Sequence, residues 1–514
     1  MISKIKFFER PTVRQTILSL CIAMSFFYIG LVRGYSAPAV PSIIEHDPEL
    51  LPTKNIASWA SSVPPCGAFF GSIFAAPMLH FFGRKSTILV ASPLGTLAWI
   101  LIATSERYEM FIAARFLCGF CVGLCLPSAQ VYIGESCDPS IRGILGSLPT
   151  IFMSLAILIA YIIGSIAKWD TLAWYCSSMT LLFGILLAFL PESPVWLRSK
   201  NRFEEAEKSA NWLKLPSLPA NIANPKNNIE LKQNDHQIPN SEIDQEEKLK
   251  FFSRPIIMPL IIGLTLLVLQ QISGIDAIIF FTVEIFQASG SSINEHLATI
   301  LVGFVQLASN IAALFVVDKS GRKPLLIISA VVMALSTGSM GAAFFLKQSG
   351  IHSFGWLPLV SLVIYMIGFS IGFGCIPFLL LGELFPAKER SVLSSIAGSF
   401  NLGFMFIVIK TYHYLEALIT TAGTFWMYSI FCVIAIFFVI FVVPETKGKD
   451  LESIAQLFAK NSPKMSAASE QRTTTTTTTT AAAAFNKAYT SSSMNSLKTG
   501  IGSESDILGM SNEH

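Results

Sequence analysis

Long hydrophobic runs alternate with short polar breaks along most of the chain. Twelve such runs can be counted, and each is long enough for a membrane-crossing helix, which needs about 20 residues. Their approximate bounds are 16–40, 57–80, 86–104, 110–133, 144–166, 171–190, 256–286, 297–317, 324–346, 356–381, 391–416 and 423–443. The pattern predicts an all-α membrane protein with twelve transmembrane helices.

Two polar segments interrupt or follow the runs. The first part of the central break, residues 201–215, has apolar residues at helical spacing and predicts short amphipathic helices. Its second part, 216–247, is rich in Pro, Asn, Glu and Gln and predicts a flexible linker. After the last run, eight consecutive threonines predict a largely disordered tail. The predicted parts are an N-terminus at 1–15, a six-helix bundle at 16–190, a linker at 191–254, a second bundle at 255–445 and a tail at 446–514.

Composition and charge placement support this organisation. Of the 514 residues, 52% are hydrophobic and 13% are charged, against about 25% charged in soluble domains. Clusters of Lys and Arg fall on alternate breaks, which by the positive-inside rule predicts that both termini are cytoplasmic. The net charge of +3 is therefore a topology signal and gives no support for nucleic-acid binding. The nine cysteines lie mostly inside the runs, which argues against a disulfide framework.

Within the seventh run, the stretch QQISGIDAIIFF at 270–281 places polar groups at bilayer depth. It holds Gln270 and Gln271, then Gly274 and Asp276. Because lipid offers such groups no partners, they must face protein or water. The stretch predicts a helix whose polar stripe lines a cavity that binds a polar solute. The alternative is that the amides only bond neighbouring helices.

Three motifs occur twice in the same order, which indicates an internal repeat. They are GRK at 83–85 and 321–323, Glu135 with Arg142 and Glu383 with Arg390, and PESP at 191–194 and PETKG at 444–448. The chain is therefore predicted to consist of two six-helix halves of the same orientation. Two such halves around a site at the bilayer midplane form a known architecture of secondary transporters.

The repeat also relates two buried charges. Arg33 lies in the middle of the first run, and Asp276 lies in the seventh, its counterpart under the repeat. A lone charge at bilayer depth costs at least about 2.5–3.5 kcal/mol, so we predict a salt bridge between them across the central cavity. The alternative is that Arg33 faces backbone carbonyls and Asp276 is neutral.

Together these motifs resemble the sugar porters of the major facilitator superfamily. The similarity rests on the GRK loops, the two Glu/Arg pairs, PESPVWL at 191–197, QQISGID at 270–276, GELFPAKER at 382–390 and PETKG. Within the family, IRGILGSLPT at 141–150, IVIKTYHYL at 407–415 and GTFWMYS at 423–429 are similar to insect facilitated trehalose transporters.

The resemblance implies a set of sugar-contacting residues. They are Gln270, Gln271, Asp276, Phe281, Gln306, Phe378, Asn401 and Thr150. Carboxamides suit sugars because one planar fork both donates to and accepts from hydroxyl groups. Several positions depart from the family pattern: Asp276 replaces an asparagine, Phe280 and Phe281 replace tyrosines, and Phe378 replaces a tryptophan. These changes argue against glucose as the substrate.

The resemblance also implies an ionic latch on the cytoplasmic face, where ion pairs between helix ends hold the inner side shut. The implied latch residues are Glu135, Arg142, Arg84, Asp318, Arg322, Glu383 and Arg390. His80 stands where the family carries an acid, which suggests a weaker latch in the first half or a pH-sensitive one.

From these features we expect facilitated sugar transport by alternating access in the plasma membrane, with trehalose, a hexose or a related polyol as substrate and the lipid bilayer as the other partner. Val32 stands where proton-coupled relatives carry an acid, which favours facilitation over proton symport. Symport and a non-transporting sugar sensor are the alternatives. No enzymatic activity, cofactor, catalytic residue or metal site is expected, and the oligomeric state is left open.

Overall fold

The computed structural model describes residues 11–138, 140–215, 254–290, 293–317, 320–351, 354–385 and 390–447. Every regular element in them is a helix. The helices of the first half and the central segment are α1 Pro11–His46, α2 Lys54–Phe81, α3 Arg84–Ala103, α4 Tyr108–Ser136, α5 Arg142–Gly164, α6 Trp169–Ala188, α7 Pro194–Ser199 and α8 Phe203–Leu213. Those of the second half are α9 Arg254–Ile272, α10 Ile275–Ser289, α11 Glu295–Val317, α12 Arg322–Gln348, α13 Leu357–Ile371, α14 Ile376–Leu384 and α15 Arg390–Phe441.

Twelve membrane crossings follow from these helices. Eleven helical segments of the described chain are long and apolar enough to cross a bilayer. One of them is α15, whose 52 residues are about twice the length that a single crossing needs. Its helical geometry breaks at Thr420, where φ is 67°, so that α15 supplies the eleventh and twelfth spans. The predicted all-α fold with twelve spans is confirmed.

The seventh span is interrupted, because α9 and α10 are separate helices. Gly274, between them, has φ +88°, in the left-handed region that favours glycine, and a Cβ there would lie 2.5 Å from the ring of Tyr428. A second irregularity follows at Phe281, whose φ of −117° and ψ of 20° kink α10. The residues 275–280 thus form a short helical segment between two breaks.

The amphipathic helices predicted at 201–215 fall where the structure has α8, and α7 precedes that range. The hydroxyl of Ser193 accepts from the backbone N–H of Trp196 and caps α7. The helix α8 lies against the beginning of α1, where Gln15 donates to the carbonyl of Leu213 at 3.2 Å. The predicted linker at 216–247 lies outside the described residues, and so does the tail from residue 448 onwards.

The two GRK sequences lie at the same end of the bundle. We call the end that holds the GRK sequences at 83–85 and 321–323 the basic-loop side, and the other end the opposite side. On the opposite side the two halves touch in a buried cluster of Ala37, Ile157, Tyr161 and Val283. This cluster joins α1 and α5 of the first half to α10 of the second. The buried cluster brings the two halves together on the opposite side, so the structure corresponds to a state in which that side is closed.

Candidate functional site

At the basic-loop end of the first half, a carboxylate accepts hydrogen bonds from the beginning of a helix. Glu192, from the PESP motif, accepts the backbone N–H groups of Arg84 and Lys85 at 3.0 Å each. These amides belong to the first turn of α3, whose N-terminal N–H groups have no partner within the helix. The Arg84 guanidinium in turn lies 2.6 Å from the carboxylate of Glu135, and the hydroxyl of Ser193 also donates to Glu135.

The second half repeats this arrangement residue for residue. Glu445, from the PETKG motif, accepts the backbone N–H groups of Arg322 and Lys323 at 3.0 Å each. Arg322 lies 3.0 Å from the carboxylate of Glu383, to which Thr446 donates. Burial by itself raises the pKa of Glu445, but the backbone N–H groups that it accepts outweigh burial and hold that pKa below its ordinary value.

These clusters include some of the predicted latch residues. Arg84 with Glu135 and Arg322 with Glu383 form ion pairs, and each pair lies within one half. Arg142 instead donates to the carbonyl of Cys137 at 3.0 Å. Asp318 and the side chain of Arg390 lie outside the described part. His80 is exposed at the end of α2, where its carbonyl accepts from the indole of Trp196. A latch between the halves on this side remains a prediction.

Three predicted sugar contacts form an amide network beside the break in the seventh span. Gln271 donates to the side-chain oxygen of Asn401 at 3.1 Å, and Asn401 donates to the side-chain oxygen of Gln270 at 3.2 Å. Gln270 also donates to the carbonyl of Phe373 at 2.6 Å. All three amides are buried, and Gln271 Oε1 has no hydrogen-bond partner among the described residues. One buried acceptor of the network is therefore unsatisfied.

A second polar group of the seventh span faces the first half. The Arg33 guanidinium on α1 forms an ion pair with Asp276 on α10. Asp276 is 1% exposed and Arg33 is 20% exposed, so the guanidinium covers the carboxylate. Asp276 lies in the first turn of α10, where the helix dipole favours a negative charge. The Arg33 Nε is buried with no hydrogen-bond partner in the described part of the chain.

The other predicted sugar contacts do not share one environment. Gln306 on α11 is buried. Phe281 is buried and stacks on Tyr412, with ring centroids 4.9 Å apart. Thr150 on α5 is half-buried, and Phe378 on α14 is 42% exposed. The structure thus brings Gln270, Gln271 and Asn401 together, whereas Phe378 is exposed.

The opposite side carries a cavity above the closed contact between the halves. Its volume is about 490 Å³. The end of α1, the α5–α6 connection, the second part of α10 and the beginning of α11 line it, with Glu45, His46, Lys168, Glu284 and His296 among its polar residues. Below it, the Tyr161 hydroxyl donates to the carbonyl of Ile279 at 2.9 Å and joins the two halves.

Sequence reasoning missed several charged residues. Glu192 and Glu445 occupy the same place in the repeated PE motifs, and this duplication in the sequence could have identified both residues. Arg115 lies within the fourth run, is 1% exposed, and donates to the hydroxyl of Ser36 and the carbonyl of Ala60. On α10 and α15, Glu284 and Glu416 flank His413. No repeat marks this last group.

Other chemistry is not indicated by the described residues. The nine cysteines are free and buried or half-buried. Within the part of the chain that the structure covers, no group of three His, Cys, Asp or Glu side chains is arranged to hold a metal ion.

Two similar helical halves, a broken span with buried amides and a duplicated ionic cluster define a secondary transporter of the major facilitator type. The family described as "Sugar (and other) transporter" matches residues 18–458, and the chain belongs to this family. The chain is 39% identical over 456 residues to the facilitated trehalose transporter Tret1 of Bombyx mori, covering 88% of each protein. It is 38% identical over 456 residues to that of Apis mellifera ligustica, covering 88% of this chain and 90% of the relative.

Solved structures show the same fold. A proton:xylose symporter bound to 6-bromo-6-deoxy-D-glucose superimposes with a TM-score of 0.69 and 24% identity, covering 87% of this chain and 100% of that one. The inward open conformation of the xylose transporter of E. coli gives a TM-score of 0.67 at 24% identity, covering 86% of this chain and 98% of that one. The predicted family and the predicted major facilitator fold are confirmed, and the chain is a multi-pass membrane transporter.

Proposed function

We propose that this protein carries a sugar across the plasma membrane by alternating access, without coupling to protons, and that trehalose is its first candidate substrate. The amide network of Gln270, Gln271 and Asn401 supports this proposal most directly. It lies beside the break in the seventh span, and its unsatisfied Gln271 Oε1 can accept a hydrogen bond from a hydroxyl group. The relatives named as facilitated trehalose transporters support the choice of substrate.

The surroundings of Arg115 support facilitation rather than symport. The position where the resemblance places a proton-carrying acid is Val32, and Arg115 donates to the carbonyl of that residue at 3.5 Å. Its other described partners are the Ser36 hydroxyl and the Ala60 carbonyl, and the ring of Tyr35 lies 5.1 Å away. All these partners are uncharged, so none of them exchanges a proton near neutral pH.

The ion pair of Arg33 with Asp276 is proposed to hold the closed state. It joins α1 of one half to α10 of the other, and a substrate that hydrogen-bonds Arg33 competes with it. A contact between halves must be strong enough to define a state and weak enough to break, so an ion pair of a few kcal/mol suits alternating access. In the proposed orientation the basic-loop side and both termini are cytoplasmic, in line with the positive-inside rule.

Uptake into proteoliposomes of purified protein tests the function. The panel comprises radiolabelled trehalose, glucose, xylose and a polyol, each with and without a proton gradient. We expect saturable trehalose uptake that equilibrates and does not respond to an uncoupler. Uptake that collapses with the uncoupler would instead support symport. Saturable sugar binding without uptake would support the sensor, and neither binding nor uptake of any member would remove the sugar proposal.

A further inference from the structure

A histidine with a carboxylate at each ring nitrogen lies at the opposite side of the bundle. His413 Nε2 is 3.7 Å from the carboxylate of Glu284, and His413 Nδ1 is 3.5 Å from that of Glu416. Glu284 belongs to α10, whereas His413 and Glu416 belong to the eleventh span in α15. A neutral imidazole has one N–H donor and one lone pair, but an imidazolium donates from both nitrogens. The arrangement therefore suits an imidazolium, whose positive charge lies within ion-pair distance of both carboxylates.

This group has access to water. Glu284 lines the cavity of about 490 Å³ on the opposite side, so that a proton can reach it from that side without crossing the closed contact between the halves. The side chains of Glu284, His413 and Glu416 are 25–32% exposed. Thr421 donates to Glu416 at 2.8 Å and orients this carboxylate.

The group also lies at the kink of α10. The ring of Phe281, the residue with non-helical geometry, is 4.6 Å from the ring of His413 and stacks on Tyr412. The next turn of α10 carries Val283, which belongs to the buried cluster that closes this side, and Glu284, which faces His413. If the segment after Phe281 moves away from the first half, Glu284 is displaced from His413 by the same movement.

Other charged groups near the site come from each neighbouring element. Lys54, at the beginning of α2, acts electrostatically on both Glu284 and Glu416. Lys410 lies one turn before His413 on α15 but contacts Asn55 and the ring of Trp59. The cavity adds Glu45, His46, Lys168, Glu295 and His296. Among the described residues, His413 is the histidine that the structure places with a carboxylate near each of its two ring nitrogens.

We propose that Glu284, His413 and Glu416 form a proton-binding site that fastens the kinked part of α10 to the eleventh span, so that acidic pH holds the opposite side closed. The proton adds a positive charge between two negative ones in the closed arrangement. Its stabilisation is present while the imidazole is protonated and is lost when the proton leaves at higher pH. The inference rests on alternating access but not on the identity of the sugar.

A distance measurement without any sugar tests the inference. Nitroxide labels are placed on Gln287→Cys in α10 and Glu106→Cys in the α3–α4 connection, after replacement of the half-buried Cys21, Cys66 and Cys375 by serine. The full chain is studied in lipid nanodiscs by pulsed dipolar spectroscopy from pH 5.5 to pH 8. We expect a short distance that dominates at pH 5.5 and a longer one whose population relative to the short one is about fivefold higher at pH 8, as expected for a contact of about 1 kcal/mol.

Matched variants decide the outcome. His413→Gln should make the two populations independent of pH, whereas His296→Gln, in the cavity that Glu284 lines, should retain the wild-type response. Glu416→Gln keeps the histidine and removes one carboxylate, so it should weaken the response even if His413→Gln does not fold. A full response in either His413→Gln or Glu416→Gln, or its loss in His296→Gln, would overturn the proposal. Because no sugar is present, this result is independent of the outcome of the uptake assay.

Discussion

The basic-loop side and the opposite side of this transporter are built on different principles. On the basic-loop side each half carries the same four parts: a GRK sequence, a glutamate at the end of the fourth or tenth span, a PE glutamate and a hydroxyl residue after it. Glu192 and Glu445 accept equivalent backbone amides, and Arg84 and Arg322 contact equivalent glutamates. The duplication indicates that each cluster stabilises its own half.

Nearer the centre and on the opposite side, the described contacts differ between the halves. Arg33 and Asp276 form one pair between the halves, the amide network lies in the second half, and so does His413 with its two glutamates. We propose that the duplicated parts belong to the scaffold, whereas the others belong to the proposed substrate site and the proposed pH-sensitive contact. The following predictions test this division.

The largest effect is expected from the ion pair between the halves. Arg33→Asp and Asp276→Arg alone should each lower the free energy of unfolding by about 3–5 kcal/mol, because each leaves two like charges in a buried site. The exchange of both residues should recover most of this loss. Thermal unfolding in detergent measures the effect. Unfolding is detected with a fluorescent dye that reacts with buried thiols such as Cys118 once they become exposed.

The exposed pair of Arg202 and Glu205 on α8 is the control for that exchange. Its side chains are 49% and 51% exposed, so charge reversal there should change stability by less than about 1 kcal/mol. A double exchange of Arg33 and Asp276 that is no more stable than either single variant would show that the two residues are not coupled.

The next effect concerns the duplicated carboxylates. Glu192→Ala and Glu445→Ala should each cost about 2 kcal/mol, because backbone N–H groups at a helix N-terminus lose their acceptor. The two losses should be alike, and the double variant should show their sum because the sites are separate. Chemical unfolding of the three variants checks this. Unequal losses would mean that the clusters have separate roles in spite of their common geometry.

The amide network offers a smaller and more selective effect. Gln270 uses both its donor and its acceptor, whereas the oxygen of Gln271 has no partner in the described chain. Gln270→Leu should therefore destabilise the fold by about 1 kcal/mol, and Gln271→Leu by less. Gln271→Leu should instead weaken sugar binding about tenfold, as expected for about 1.4 kcal/mol. Equilibrium sugar binding and thermal unfolding of both variants separate the two effects. Equal losses of sugar affinity in the two variants would refute the assignment of Gln271 to sugar binding.

The smallest effect is a pH dependence on the basic-loop side. The pKa of Glu445 is lower in the folded protein than its ordinary value of 4.5. Its contribution to stability is therefore complete above that value and is lost as the pH falls through the lower, folded pKa. Acid unfolding of the wild type should begin below about pH 4.5. In Glu445→Gln the free energy of unfolding should fall less steeply with decreasing pH in this range. A steeper fall in the variant would reverse the sign of the contribution of Glu445.

The sequence predicted the scaffold well because its signals are periodic. Runs of apolar residues mark the spans, and the repeated GRK and PE motifs mark the halves. The roles of Glu192 and Glu445 needed the fold, since each accepts from amides more than 100 residues away in the chain. A repeated glutamate after a proline does not reveal where its carboxylate points.

The candidate site was predicted less completely, for physical reasons. Buried polar residues such as Gln271, Arg33 and Asp276 stand out because membranes exclude them. The group around His413 lies near the end of a span, where polar residues are common and carry little information. It lies beside the kink at Phe281, and no proline or glycine at that position predicts this kink.

The break at Thr420 bears on how the protein is made. Only this residue departs from helical geometry between the last two spans, and its hydroxyl accepts from the backbone N–H of Gly423 to begin the next helix. The hairpin has no extended loop there that could emerge ahead of the second helix during synthesis. We therefore expect the final two crossings to enter the bilayer together as one unit during translation, and an epitope tag or protease site inserted at this turn to disrupt their assembly.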